Sequence, residues 1–289
     1  MNDTIINNKI IALVDGSIYS ESVCHHAAWI AKRTDAPVEL IHVLGRRGGP
    51  EKQDLSGSIR LGARTKLMEE LAELDAQRAK LISHRGRAVL EDARAIVDQD
   101  GITEITTRLR HGDIVETITG IEESARVILI GKRGEAADFA KGHLGSNLER
   151  IVRAAHRPVL VASRAFQPIE SVLVAYDGGS SSMKAVDHIA RSPLFADLKV
   201  TVVTVGSETP DISKGLEDAR ALLKAAGIEA DTRVIEGQPE TELGKLVEDE
   251  GFGMVVMGAY GHSRIRSLVI GSTTTEMVRS CKVPVVLMR

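Results

Sequence analysis

Aromatic side chains are scarce in this chain, making up 3% of it as one Trp, three Tyr and four Phe. Proteins that hold single-stranded nucleic acid stack its bases on such rings, so little stacking surface is on offer. A surplus of positive charge is also missing. Lys and Arg number 37 against 40 Asp and Glu, a formal net charge of −3 that leaves no electrostatic footprint for a phosphate backbone. No apolar run approaches the roughly 20 residues of a membrane span. Met1-Asn2-Asp3-Thr4 does not open the basic-then-apolar pattern of a secretory signal. The expectation is a cytoplasmic protein with neither nucleic acid nor membrane as partner. The two cysteines, Cys24 and Cys281, fall in different halves, in or near helices. They read as small buried hydrophobes rather than as a disulfide or redox pair.

What is present is ordinary globular material: 289 residues, 43% apolar, enough for two domains each with its own core. The most informative stretch is Gly258-Ala259-Tyr260-Gly261, nine further residues, then Gly271-Ser272. It follows the apolar run Met254 to Met257 and leads into a helical pattern. A buried strand, a glycine loop and a helix start form a phosphate-binding arrangement, because glycine lets backbone approach an anion and the first helical N–H groups point at it. Alone, such spacing more often marks turns. Repetition changes that reading. Val127 to Gly134, then Gly145-Ser146, then His156-Arg157-Pro158-Val159 repeats Met254 to Gly261, Gly271-Ser272 and Lys282-Val283-Pro284-Val285. Upstream, Ile10 to Ser17 matches Val172 to Gly179, each an apolar strand ending in Asp-Gly, with Ser20 and Ser182 five positions beyond the aspartates. The chain is an internal duplication. In each half strands and helices alternate, which predicts parallel βαβ units with right-handed connections and helices on both faces.

With these motifs in place the chain resembles a tandem universal stress protein, over roughly Lys9 to Ser163 and Glu170 to Arg289. The family signature is glycine, two residues, glycine, nine residues, glycine and Ser or Thr. Gly258, Gly261, Gly271 and Ser272 meet it in full. The resemblance implies an α/β fold of two tandem doubly wound domains, 1–163 and 170–289, each with a five-stranded parallel sheet flanked by helices (adenine nucleotide alpha hydrolase-like). It also implies ATP or AMP binding where the loop is intact. The short connection Arg164 to Pro168 implies a fixed pseudo-twofold pair imitating the dimer of single-domain relatives, with a homodimer of the whole chain left open.

In an open parallel sheet a ligand sits beyond the carboxyl ends of the strands, where the strand order reverses. In the second half this brings together Ala175, Tyr176 and Asp177, then Val205, then Met257 and the glycine loop. Asp177 has two compatible readings: a ligand group for ribose or for magnesium carried by the nucleotide, and a cap on the following helix. Ser180, Ser181 and Ser182 include at least one capping residue. By family position the backbone of Val205 pairs with the adenine edge, while Gly258, Gly261 and Gly271 admit the phosphates and Ser272 and Thr273 donate to them. His262, Arg264 and Arg266 are candidates to balance phosphate charge, although loop arginines more often face solvent. The corresponding first-half site is Asp15, Val43, Gly131, Gly134, Gly145 and Ser146. There ten residues, Glu135 to Leu144, replace the family's nine. Glu135 and Asp138 add negative charge, partly offset by Lys132, Arg133 and Lys141. The second domain is therefore expected to hold the stronger site, the first a weak or empty one.

The halves differ most between their second and third strands. Residues 45–101 of the first half carry Leu61, Leu67, Met68, Leu71, Leu74, Leu81 and Ile82, spaced for one or two long amphipathic helices with Gly86 as a possible break. The stripe is expected to cover the sheet rather than to bind a partner. The second half holds one helix there, Leu216 to Ala226. The leading functional reading is a regulatory module that binds an adenine nucleotide (ATP, AMP or ADP) and presents a surface to an unknown protein partner. A slow ATPase or self-phosphorylating protein comes next, weakened because His262 is the one titratable candidate for a base near the loop. An adenylating enzyme is a weaker fit still, resting on Asp177 to Ser182. If neither domain binds nucleotide, the chain is an interaction scaffold.

Overall fold

The computed structural model describes residues 8–45, 61–134, 145–259 and 272–289. The first half runs β1 (Lys9–Leu13), α1 (Ser20–Thr34), β2 (Val38–Leu44), α2 (Leu61–Gln99), β3 (Ile105–His111), α3 (Ile114–Thr119), β4 (Ala125–Gly131), α4 (Ser146–Ala154) and β5 (Val159–Ala162). The second runs β6 (Ser171–Ala175), α5 (Ser180–Arg191), β7 (Lys199–Val205), α6 (Pro210–Ala225), β8 (Ala230–Ile235), α7 (Pro239–Glu250), β9 (Met254–Gly258), α8 (Ser272–Ser280) and β10 (Val285–Met288).

The strands form one sheet in the order β3-β2-β1-β4-β5-β10-β9-β6-β7-β8. Every pairing is parallel except β5 with β10, which run antiparallel with Leu160 opposite Val286. Each half thus contributes five parallel strands, and the pseudo-twofold axis passes through the seam between them. The central strands are apolar at almost every position because both faces are covered. Alternate residues go to opposite sides: Ile10, Ala12 and Leu129 pack with α1, α2, α5 and α6, whereas Ile11, Leu13 and Ile128 pack with α3, α4, α7 and α8.

Three expectations are corrected. Gly86 does not break the long helix, which continues through it to Gln99. A Cβ there would lie 2.7 Å from Leu109 Cδ1 and 3.0 Å from His42 Cδ2, so the glycine lets α2 cross closely over β2 and β3. Nor does the apolar stripe of residues 67–82 cover the sheet. That work falls to Val89, Leu90, Ala93, Ile96 and Val97, while Met68, Leu71, Leu74, Leu81 and Ile82 are exposed. Finally, α6 begins at Pro210, six residues before Leu216, because the Thr209 hydroxyl caps Ile212 N–H and proline fits the first helical position.

Candidate functional site

In each half the strand order reverses between the first and fourth strands, and in the first half a crevice opens beyond their carboxyl ends. In the first half β1 delivers Asp15 to this point. Its Oδ1 accepts Ser17 N–H at 3.0 Å and the Ser20 hydroxyl at 3.2 Å, while Ser20 Oγ accepts the N–H groups of Asp15 and Gly16. Gly16 takes φ +77°, which turns the chain back into α1. β4 delivers the glycine loop alongside. A Cβ on Gly131 would stand 2.6 Å from Tyr19 Cβ, and one on Gly134 would stand 2.8 Å from Asp15 Oδ2. These glycines are therefore where the loop meets the aspartate turn. Gly145 N–H donates to Lys132 O at 3.2 Å, placing the start of α4 against the loop, and no side chain caps that helix. Its first N–H groups face a cavity of about 370 Å³, within the size range of small-molecule sites.

All six first-half positions, Asp15, Val43, Gly131, Gly134, Gly145 and Ser146, line this cavity. So does His42, which fits the family pattern beside Val43, and so do residues that the sequence did not single out, among them Tyr19, Ile114 and Asn147. Asn147 was legible as a first-turn neighbour of Ser146. Ile114 was not, because it opens α3 after the third strand, away from the first- and fourth-strand motifs that repeat between the halves. His42 is fixed by its Nδ1, which donates to Val14 O at 2.7 Å.

The second half repeats the arrangement. Asp177 Oδ1 accepts Gly179 N–H at 2.9 Å and the Ser182 hydroxyl at 2.7 Å, and Gly178 takes φ +76°. The residue preceding α5 is Gly179, with no side-chain cap. Asp177 thus braces the turn rather than capping the helix, and Ser182 spends its hydroxyl proton on Asp177 and Gly179 O instead of capping an N–H. Gly258 packs against Ser181, where a Cβ would approach to 2.9 Å, as Gly131 packs against Tyr19. Thr274 Oγ1 donates to Gly258 O, tying α8 to β9. Ser272 and Thr273 open that helix, Ser272 exposed and Thr273 half-buried. Ala175 and Val205 pack on the core below, and Met257 is within it. The Tyr176 ring turns into the helix layer, where a Cβ on Gly215 would meet its hydroxyl oxygen. Burial raises its phenol pKa, and its carbonyl accepts Thr204 Oγ1. Gly261, His262, Arg264, Arg266 and Gly271 lie outside the described residues, as do Glu135, Asp138 and Lys141 of the first loop.

Lys132 departs from its expected role. It does not offset charge in the crevice; it is buried, and its Nζ donates across the domain boundary to the carbonyl of Cys281, just past the end of α8. Burial pulls its pKa down. The reciprocal contact exists: Arg289 donates to Arg153 O in the last turn of α4. The helices α4 and α8 are therefore each met at the far end by a cation from the other half, the favourable sign for a helix carboxyl terminus. Lys132→Met keeps the bulk but leaves the Cys281 carbonyl without this donor. A loss of about 1–3 kcal/mol in urea unfolding is expected.

With this geometry in view, comparison with known proteins is decisive. The model of the universal stress protein family matches residues 7–163 and again 168–289. The chain belongs to the universal stress protein family. It is 37% identical over 285 residues to the universal stress protein Slr1230 of Synechocystis, covering 97% of this chain and 99% of that one. A universal stress protein of Mycolicibacterium smegmatis is 24% identical over 97% of this chain and 96% of its own. Among solved structures, a universal stress protein from Archaeoglobus fulgidus superposes with a TM-score of 0.71 at 21% identity, covering 97% of this chain and 98% of that one. That likeness establishes the α/β fold in both halves. Among the described residues of this tandem universal stress protein no helix is long and apolar enough to cross a membrane.

Proposed function

We propose that this universal stress protein binds an adenine nucleotide where the strand order reverses, mainly in the second domain with the first weak or empty, and acts as a regulatory module rather than an enzyme. The observation that carries the reading is convergence. A braced aspartate, a glycine loop with no room for a Cβ, and a helix start without a side-chain cap meet at one crevice in the first half. The second half builds the same aspartate turn and the same glycine contact. In each site the carboxylate would face the ribose, the strand-two backbone at Val43 or Val205 the base, and the helix start the phosphates. The preference for the second domain rests on loop register, nine residues there between glycines against ten in the first. Among the described residues no cluster of three His, Cys, Asp or Glu forms. A magnesium ion at Asp177 would therefore take its other ligands from nucleotide oxygens and water. The two free thiols, Cys24 and Cys281, suit a reducing compartment, and we place the protein in the cytoplasm.

Isothermal titration of nucleotide-stripped protein with ATP and AMP, with and without magnesium, tests this. One site per chain is expected, weakened about tenfold or more by Gly261→Ala and retained in Gly134→Ala, since a methyl group would sit against the phosphates. Binding lost in Gly134→Ala alone would move the site to the first domain. No binding under any condition would overturn the nucleotide reading and leave a protein-interaction scaffold.

A further inference from the structure

The long helix α2 has two unlike halves. From residue 86 onward its apolar side chains are packed on β2 and β3, but from Lys66 to Arg85 almost every residue is exposed. That stretch of about 20 residues is an arm ~30 Å long standing clear of the body. Leu71, Leu74 and Leu81 are 40%, 61% and 70% exposed, which is unusual for leucines that share one helix face. With half-buried Leu67 they fall at spacings of four, three and seven residues, the heptad seam of a coiled coil, and Met68 and Ile82 flank it. A helix stripe with this period is complementary to a second helix rather than to a sheet.

Charge along the arm identifies that second helix. Glu69, Glu70, Glu73 and Asp75 form an acidic stretch with no base among them, and Arg78, Lys80, His84, Arg85 and Arg87 form a basic stretch with no acid. Glu73 accepts from Gln77 at 3.5 Å, and none of Glu69, Glu70, Asp75, Arg78 or Lys80 engages an opposite charge among the described residues. A parallel copy would set acid on acid and base on base. An antiparallel copy sets each acidic stretch on the partner's basic one, and a twofold axis near Ala76 and Gln77 does this for both at once. Leu71 and Leu74 of one arm then face Leu81 of the other.

We infer that this face of α2 is a self-association surface, through which two copies of the chain pair by an antiparallel coiled coil of their arms. The seam is about three heptads long and interrupted by Arg78, so the dimer is weak and reversible.

Sedimentation equilibrium of the full chain at low salt tests this with two exposed-surface variants. In E69K/E70K/E73K the arm becomes mainly basic, with Asp75 its one remaining acid; in R78E/K80E/H84E it becomes mainly acidic, with Lys66 and Arg85 its remaining bases. The native chain is expected to dimerise at tens of micromolar. Each variant alone should lose dimerisation by about tenfold or more in dissociation constant, and an equimolar mixture should restore it. Leu74→Asp with Leu81→Asp should abolish it, with unchanged thermal unfolding confirming that the body stays folded. A native chain that remains monomeric overturns the inference. So does a dimer indifferent to these variants, or a mixture that fails to re-form one.

Discussion

Lowering the pH from 7 toward 4 should remove about 3 kcal/mol of stability through His26 alone. This ring is fully buried in α1. Its Nδ1 bonds to the Ser22 carbonyl at 2.7 Å, and Nε2 has no hydrogen-bond partner. The ring meets Phe166, from the connection between the domains, edge-on at 5.0 Å between centroids. Burial, the largest influence, pulls the pKa from 6.5 to about 4; the Ser22 carbonyl works against this and His25 adds to it. The nearby carboxylates are already engaged, Asp100 with His25 Nδ1 at 2.7 Å and Glu21 near His25 Nε2 at 3.8 Å. Because the folded-state value is depressed, the unfolded chain binds the proton first between pH 6.5 and about 4. The contribution is thus complete above 6.5 and lost as pH falls through that window. Urea unfolding of the native chain and of His26→Leu across this range separates it from carboxylate titration. The variant should show a shallower acid limb, by about 3 kcal/mol over the interval. Equal slopes in both proteins would mean that the ring is solvated.

The duplication and the aspartate and glycine motifs were legible because they rest on local rules. An apolar strand buried on both faces leaves a continuous run, and a turn with positive φ at Gly16 or Gly178 needs glycine beside an aspartate. What the sequence concealed depended on distance in space. Gly86 looks like a helix breaker until the strands beneath it are placed, and Lys132 looks like a counter-charge to Glu135 and Asp138 until the second domain brings Cys281 to it. The same blindness hid which leucines of α2 meet the sheet. Residues 67–82 and 89–97 both carry helical apolar periodicity, and only the end of the sheet decides which set is covered. The start of α6 was missed for a local reason: Pro210, Asp211 and Ser213 dilute the apolar signal, although Thr209-Pro210 is itself a helix-start pattern.

Leu160→Ala should destabilise the chain by about 2–5 kcal/mol, the cost of removing a buried leucine and leaving its cavity, and the loss should be felt in both halves. Leu160 is fully buried on β5, opposite Val286 of β10, in the one antiparallel pairing of the sheet. Without that pairing each half would expose an apolar edge strand, Val159 to Ala162 or Val285 to Met288, as an unpaired template. The seam is reinforced from both sides. Arg33 of α1 donates to Leu194 O and Ala196 O of the second half, Lys132 to Cys281 O, and Arg289 to Arg153 O. Contacts of this kind are expected to make the two halves unfold as one cooperative unit although the chain builds them in sequence. The check is to follow Trp29 fluorescence in the first half alongside amide exchange of β6 and β7 in the second. In Leu160→Ala both should lose stability together. Protection in β6 and β7 that stays at its native value while the tryptophan signal shifts would mean that the seam does not couple the halves. Coupling between the halves would then have to rest on side-chain contacts such as those of Arg33, Lys132 and Arg289.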